Sequence, residues 1–204
     1  ADEHFDVSAR DLAFLVRYFL LALLCRPGEW AVGFDLFDNQ DENTDHSGEG
    51  DRVQAEANIA THIGQDAPVE LYATNSRNID LRHGEAAYLR GATRLFSVDG
   101  GHYRDIVLND LAVAFEALAP YGVVLVDDFW NTAFLDVNVA TIEYVLTNPE
   151  TVRILALGHN KLFLCRADDH AALLDGLQAN LRHGQINDRH YVLDHTHLHA
   201  DIRP

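Results

Sequence analysis

The sequence predicts an α/β fold built on a mostly parallel sheet, and three observations predict it. Short β-branched and aromatic runs alternate with longer segments of helical periodicity, the pattern of successive βαβ units. One run, Val123–Val126, is apolar throughout, as a strand covered on both faces must be. Of the 204 residues, 48% are hydrophobic, which suits one cored domain and excludes a disordered chain.

The elements follow in order. Ala31–Phe37 (AVGFDLF) reads as a buried strand that ends in acid, and Asp38–Asp51 as a polar, acidic loop of lid type. Arg52–Ile63 has Val53, Ala57, Ile59, Ala60 and Ile63 near one helical face. Val69–Ala73 is the next strand, and Leu81–Leu89 a weaker helix. Arg94–Val98 is a strand closed by Asp99-Gly100-Gly101-His102. The clearest helix is Tyr103–Leu118, with Ile106, Val107, Leu111, Ala114, Phe115 and Leu118 at helical spacing, stopped by Ala119-Pro120-Tyr121-Gly122. Val123–Val126 runs into Asp127-Asp128, and Asp136–Leu146 is helical. Val152–Leu157 and Lys161–Cys165 form a hairpin across Gly158-His159-Asn160. Ala167–Leu181 is a final amphipathic helix, and a last strand is expected at His190–Leu198 in a polar tail from His183. No repeat or linker interrupts the chain. It is expected to form a single domain over 1–204, with an N-terminal helical segment at 1–30, a core at 31–182 and a His-rich tail at 183–204.

Fifteen basic side chains face 32 acidic ones, a net charge of −17. Phosphate neutralisation needs clustered Lys and Arg, so nucleic acid is excluded as a general partner, and an anionic membrane equally. Lys161 is the one lysine, every other basic residue being arginine, which reads as coding bias without functional content. Cys25 and Cys165 sit in apolar runs and read as buried small hydrophobes. Two such thiols, with no signal peptide visible and an apolar Leu12–Cys25 stretch too short to span a bilayer, point to the cytoplasm. The apolar N-terminal segment and the His-rich strand are surfaces on which a homo-oligomer could form.

Three strands end in acid: at Asp35, at Asp99 and at Asp127-Asp128. In open parallel sheets the ligand crevice lies beyond the carboxyl ends of the strands, so these carboxylates converge. Asp99, Asp127 and Asp128 offer a hard oxygen shell for Mg²⁺ or another divalent cation. His102 stands beside that shell, where a neutral imidazole accepts a proton from a substrate hydroxyl. Blander readings stay open at this point. A strand-end Asp is also a turn or capping residue, and His102 could cap the helix that follows.

Asp99-Gly-Gly-His102-Tyr103, Asn109-Asp110-Leu111 and the run Leu118-Ala-Pro-Tyr-Gly122-Val-Val-Leu-Val-Asp127-Asp128-Phe129 resemble class I S-adenosylmethionine-dependent methyltransferases. The resemblance is closest to the macrocin-type, metal-dependent O-methyltransferases. Asp35-Leu-Phe-Asp38 and Gly48-Glu-Gly50-Asp51-Arg52 match the same branch, so the likeness covers roughly Ala31 to Arg166. It implies a Rossmann-like, doubly wound, mostly parallel seven-stranded sheet with an antiparallel C-terminal hairpin. It implies S-adenosyl-L-methionine and Mg²⁺ as cofactors, and a hydroxyl of a small natural product, a sugar or phenol, as methyl acceptor. Asp35 would bind the ribose hydroxyls. Asn75 and Ser76 would lie near adenine, with Asn75 where the family usually has Asp. Asp99, Asp127 and Asp128 would be the metal ligands, Asp99 also bordering the cofactor. His102 would be the general base.

One departure from the pattern is evident. The family opens with a strand, a Gly-rich turn and a helix that hold the methionine moiety, and here no glycine precedes Gly28. Asp11–Val16 and Arg17–Leu24 would be that strand and helix, yet no turn residue separates them. Either a stretch near Val16–Arg17 is absent, which also suits a sequence without methionine, or Ser8–Cys25 is one helix and the cofactor loop is lost.

Other constellations are weaker. His190, His195, His197 and His199 suggest zinc but lack a completing ligand. The acidic Asp38–Asp51 loop does not have EF-hand spacing. Trp130 is either a wall of the acceptor pocket or packing on the sheet end. Two further functions compete with methyl transfer. One is a metal-dependent phosphoesterase using Asp99, His102, Asp127, Asp128, His159 and the C-terminal histidines. The other is a degenerate, non-catalytic fold.

Overall fold

The computed structural model describes residues 21–180, apart from 49 and 159. The chain divides into two compact units, Ala1–Asn78 and Ile79–Pro204.

In the first unit, β1 (Ala31–Asp35) and β2 (Val69–Ala73) pair in parallel, with Asp35 opposite Ala73. Helix α1 (Arg52–His62) connects them, as a parallel pair requires. Its N-cap is Asp51, whose Oδ1 accepts from the Gln54 N–H at 2.9 Å. The acidic loop ahead of it contains a 3₁₀ turn at Gln40–Glu42 and is braced by the Asn43 amide on Gly48 O.

The second unit carries β3 (Thr93–Val98), β4 (Leu118–Val126), β5 (Val152–Gly158) and β6 (Lys161–Arg166), in the order β3-β4-β6-β5. β3 and β4 are parallel and joined through α2 (Arg104–Ala117). β6 runs antiparallel to both β4 and β5. Helix α3 (Leu135–Thr147) packs beside α2, and α4 (His170–Asn180) contacts β5. The core joins Val107, Leu111, Ala114 and Phe115 of α2 to Val124 and Val126 of β4 and to Leu162 and Leu164 of β6. Truncating a fully buried leucine such as Leu111 costs about 2–5 kcal/mol at such sites. Arg166 closes the join between helix and sheet. Its Nη2 donates to Phe115 O and Leu118 O, both at 2.8 Å, where the last carbonyls of a helix have no partner within it.

Most strands and long helices fall where the sequence puts them. The sheet differs from the expected one. Among the described residues there are six strands in two sheets, with two parallel and two antiparallel pairings, so the arrangement is mixed rather than mostly parallel. Both antiparallel pairings involve β6, one with its hairpin partner β5 and one with β4. The other expected strands, Asp11–Val16 and His190–Leu198, lie outside the described residues, as do the Val16–Arg17 junction and the histidines at 190, 195, 197 and 199. The weak helix at Leu81–Leu89 is a turn followed by a 3₁₀ segment, Glu85–Leu89. Gly84 explains the shortening: its backbone lies so close to Asp80 that a Cβ would meet Asp80 O at 2.8 Å. The final helix begins at His170 after a 3₁₀ turn at Ala167–Asp169. Cys165 is fully buried, whereas Cys25 is half-buried with its thiol on Leu21 O. No described helix is long and apolar enough to cross a membrane.

Candidate active site

The site lies at the carboxyl ends of β3 and β4. Asp99 follows Val98, and Asp127-Asp128 follow Val126, with Val98 and Val126 paired in register. The Asp127 N–H donates to Val98 O at 3.0 Å, tying the two strand ends together. Carboxylate oxygens of Asp99, Asp127 and Asp128 consequently lie within 4.8 Å of one another.

Beyond Asp99 the chain turns through Gly100-Gly101 into α2. A Cβ on Gly100 would stand 2.8 Å from Asp110 Oδ2, so a larger residue in this turn must displace the buried Asp110 carboxylate of the helix. The turn delivers His102, with 13% of its side chain exposed. Its Nε2 is 3.3 Å from Asp128 Oδ2, and its ring stacks on Phe134. The helix cap is Tyr103, the residue after it, without a side-chain cap hydrogen bond. Arg104, next along, forms a two-armed pair with Glu143 of α3 and fixes the start of α2.

Asp128 has a left-handed backbone, φ +55°, a conformation short polar residues tolerate. Four contacts hold it there. Its N–H donates to Asp127 Oδ1 at 2.8 Å, and its Oδ1 accepts from Asn131 and Asn160 at 3.1 and 3.2 Å. The next residue, Phe129, donates its N–H to Asn160 O at 2.8 Å. Asp127 is almost wholly buried, and Lys161 Nζ donates to its Oδ1 at 2.5 Å. Lys161 is thus a site residue that the sequence reading passed over. Only the antiparallel pairing of β6 with β4, Leu162 opposite Val126, places position 161 next to Asp127.

Asp35, Asn75 and Ser76 lie in the first unit, at the ends of β1 and β2, where the Thr74 N–H donates to Asp35 O. Burial pushes the Asp35 carboxyl up, and the backbone N–H groups of Phe37 and Leu36 pull it part of the way back. Gly50 packs against this carboxylate so closely that a Cβ would come within 2.5 Å of Oδ1. Asn75 is engaged on both sides: its amide donates to Glu42 at 2.7 Å and its Oδ1 accepts from the Arg77 N–H. Ser76 opens a 3₁₀ turn, Ser76–Asn78. The structure therefore brings Asp99, His102, Asp127 and Asp128 together in one unit and Asp35, Asn75 and Ser76 at neighbouring strand ends in the other. Trp130 is exposed and meets Phe129 edge-on.

A family model described as a methyltransferase domain matches residues 16–129. No curated protein sequence matches the chain. Among solved structures, the O-methyltransferase NovP aligns at TM-score 0.55 and 13% identity, over 77% of this chain and 68% of its own. CalS11, described as a TDP-rhamnose 3′-O-methyltransferase of calicheamicin biosynthesis, aligns at 0.51 and 17%, over 78% and 68%. These likenesses establish a shared fold, and the family match spans more than half of the sequence. The chain belongs to the methyltransferase domain family, with the α/β fold of its class I members, and is an S-adenosylmethionine-dependent methyltransferase.

Proposed function

We propose that this enzyme transfers the sulfonium methyl group to a hydroxyl of a small natural product, a sugar or a phenol, with a divalent cation assisting. The observation that carries this reading is the meeting of three strand-end carboxylates with an imidazole held on one of them. That NovP and CalS11 are O-methyltransferases agrees with it.

The donor set fits Mg²⁺. Three carboxylates supply hard oxygens at short mutual distance, the oxygen chemistry that Mg²⁺ takes. A cation there would lower the pKa of an acceptor hydroxyl and orient it. The Asp35 carboxylate, an acceptor-only group at the end of β1, suits the two ribose hydroxyls of the cofactor, which supplies the transferable methyl. Asn75 and Ser76, on the adjoining turn, would border the adenine.

His102 is the general base. Its Nε2 lies on Asp128 Oδ2, and the imidazole would take the proton of the acceptor hydroxyl as the methyl group is transferred. Asp128 then stabilises the imidazolium, and Phe134 holds the ring plane. The exposed indole of Trp130, two residues beyond Asp128, offers a surface for a sugar or phenol ring. The phosphoesterase alternative has no comparable support, since the matching family model is a methyltransferase domain.

Calorimetric titration with S-adenosylmethionine, followed by methyl-transfer assays on hydroxylated glycosides and phenols with Mg²⁺ and with chelator, tests the reading. Cofactor binding with metal-dependent transfer to oxygen is expected. Cofactor binding with transfer that chelation leaves unchanged would remove the cation from the mechanism.

A further inference from the structure

The acid cluster contains a cation of its own. Lys161 begins β6, paired with Gly158 across the hairpin and one residue before Leu162, the partner of Val126. This register sets its side chain beside Asp127, and Nζ reaches Oδ1 at 2.5 Å. Asp127 is 3% exposed, and a carboxylate so buried is costly without a counter-charge. Lys161 is 37% exposed, so its ammonium touches the acid while its stem borders water. In a chain that uses arginine at every other basic position, the one lysine stands on a carboxylate of the candidate metal site. The choice has a physical meaning. An ammonium is a compact point charge on a flexible stem, comparable in size to an ion, whereas a guanidinium is a rigid planar fork.

We infer that Lys161 is the resident counter-ion of the acid cluster and sets how tightly a divalent cation binds there. This rests on the cation reading given above. Without metal, the ammonium neutralises Asp127 and keeps three neighbouring carboxylates compatible with a folded site. When a divalent cation arrives, the lysine either swings toward water or stays and repels it. Both responses weaken cation binding relative to a site without the lysine. Lys161 is therefore a positioning residue that makes metal uptake an exchange of charges.

The test compares wild type with Lys161→Met and Lys161→Arg by calorimetric titration with Mg²⁺ and by thermal melting, on the full chain. Lys161→Met should bind Mg²⁺ about tenfold more tightly or better, because a unit positive charge close to the ion is gone. Lys161→Arg should stay within about threefold of wild type, because the charge is kept. Without Mg²⁺ the Met variant should melt below wild type, and Mg²⁺ should raise its Tm by more. Where the Met variant does not fold, Lys161→Gln keeps a donor for Asp127 and should show the same tightening. A purely structural lysine would give the opposite result, weaker Mg²⁺ binding on its removal. Equal or weaker binding in the uncharged variants overturns the role given to Lys161 and leaves the metal site standing. Absence of Mg²⁺ and Mn²⁺ uptake by every protein overturns the metal site and this role with it.

Discussion

The imidazole of His102 lies flat on the ring of Phe134, with centroids 3.6 Å apart and planes 11° apart. The aromatic face fixes the plane of the imidazole, and Asp128 Oδ2, 3.3 Å from Nε2, fixes its rotation within that plane. His102→Ala should lower kcat by about a hundred- to ten-thousand-fold, the usual contribution of a positioned general base. Affinity for S-adenosylmethionine, measured by calorimetry, should stay near wild type. Phe134→Ala should lower kcat by about tenfold through misorientation alone. Equal losses of kcat and cofactor affinity in His102→Ala would show that the histidine is not the base.

Asp35 works against stability. Its carboxyl is pushed up by burial, so the folded state disfavours its ionised form. The stability linked to the neutral form is present below the unfolded pKa and is lost as pH rises through the folded one. At neutral pH the ionised Asp35 is therefore a cost. Asp35→Asn should melt no lower than wild type at pH 7 in the absence of cofactor. Its affinity for S-adenosylmethionine should fall about tenfold or more, the worth of a hydrogen bond to a charged acceptor. Thermal melting and calorimetry on the same preparations measure both.

Gly100→Ala would place a methyl group 2.8 Å from Asp110 Oδ2, against a residue buried in α2. The cost should be about 1–3 kcal/mol of stability, as for other overpacked sites, and kcat should fall because the turn carries His102. The double substitution Gly100→Ala, Asp110→Ala should be less destabilising than the two single effects added. Urea unfolding of the four proteins in the cycle gives the coupling.

Cys165 sits in β6 with no exposed surface, and burial pushes its thiol up to about 12. The unfolded thiol ionises near 8.5, so the stability held by the neutral form is complete below that pH and declines toward 12. By pH 10 the stability of wild type relative to Cys165→Ala should have dropped by about 1–2 kcal/mol from its value at pH 7. Denaturant unfolding at both pH values reads the difference.

Much of this architecture is legible in the sequence. Val69–Ala73 coincides with its strand, and Tyr103–Leu118 differs from its helix by one residue at each end. Both carry strong periodicity or β-branched content between clear stop signals. Leu118 reads as the last residue of the helix and Ala119-Pro120-Tyr121-Gly122 as its stop, yet β4 already begins at Leu118, because pairing between Leu118 and Thr93 recruits residues of poor strand propensity. The meeting of Asp99, His102, Asp127 and Asp128 was legible because strand ends are marked by acids and glycines. Lys161 and Asn160 were not, since their role comes from antiparallel register, which a linear reading does not convey. Asn75 illustrates the same limit: its engagement with Glu42 is set 33 positions away.

The turn between β5 and β6 delivers Asn160 to Asp128 and Lys161 to Asp127, two adjacent residues serving two adjacent acids. Because side chains alternate along a strand, adding or deleting one position in that turn would rotate both helpers away at once. Turn length thus fixes the surroundings of both acids together. Anyone transplanting this constellation into another scaffold would have to carry the whole ribbon across, spacing included.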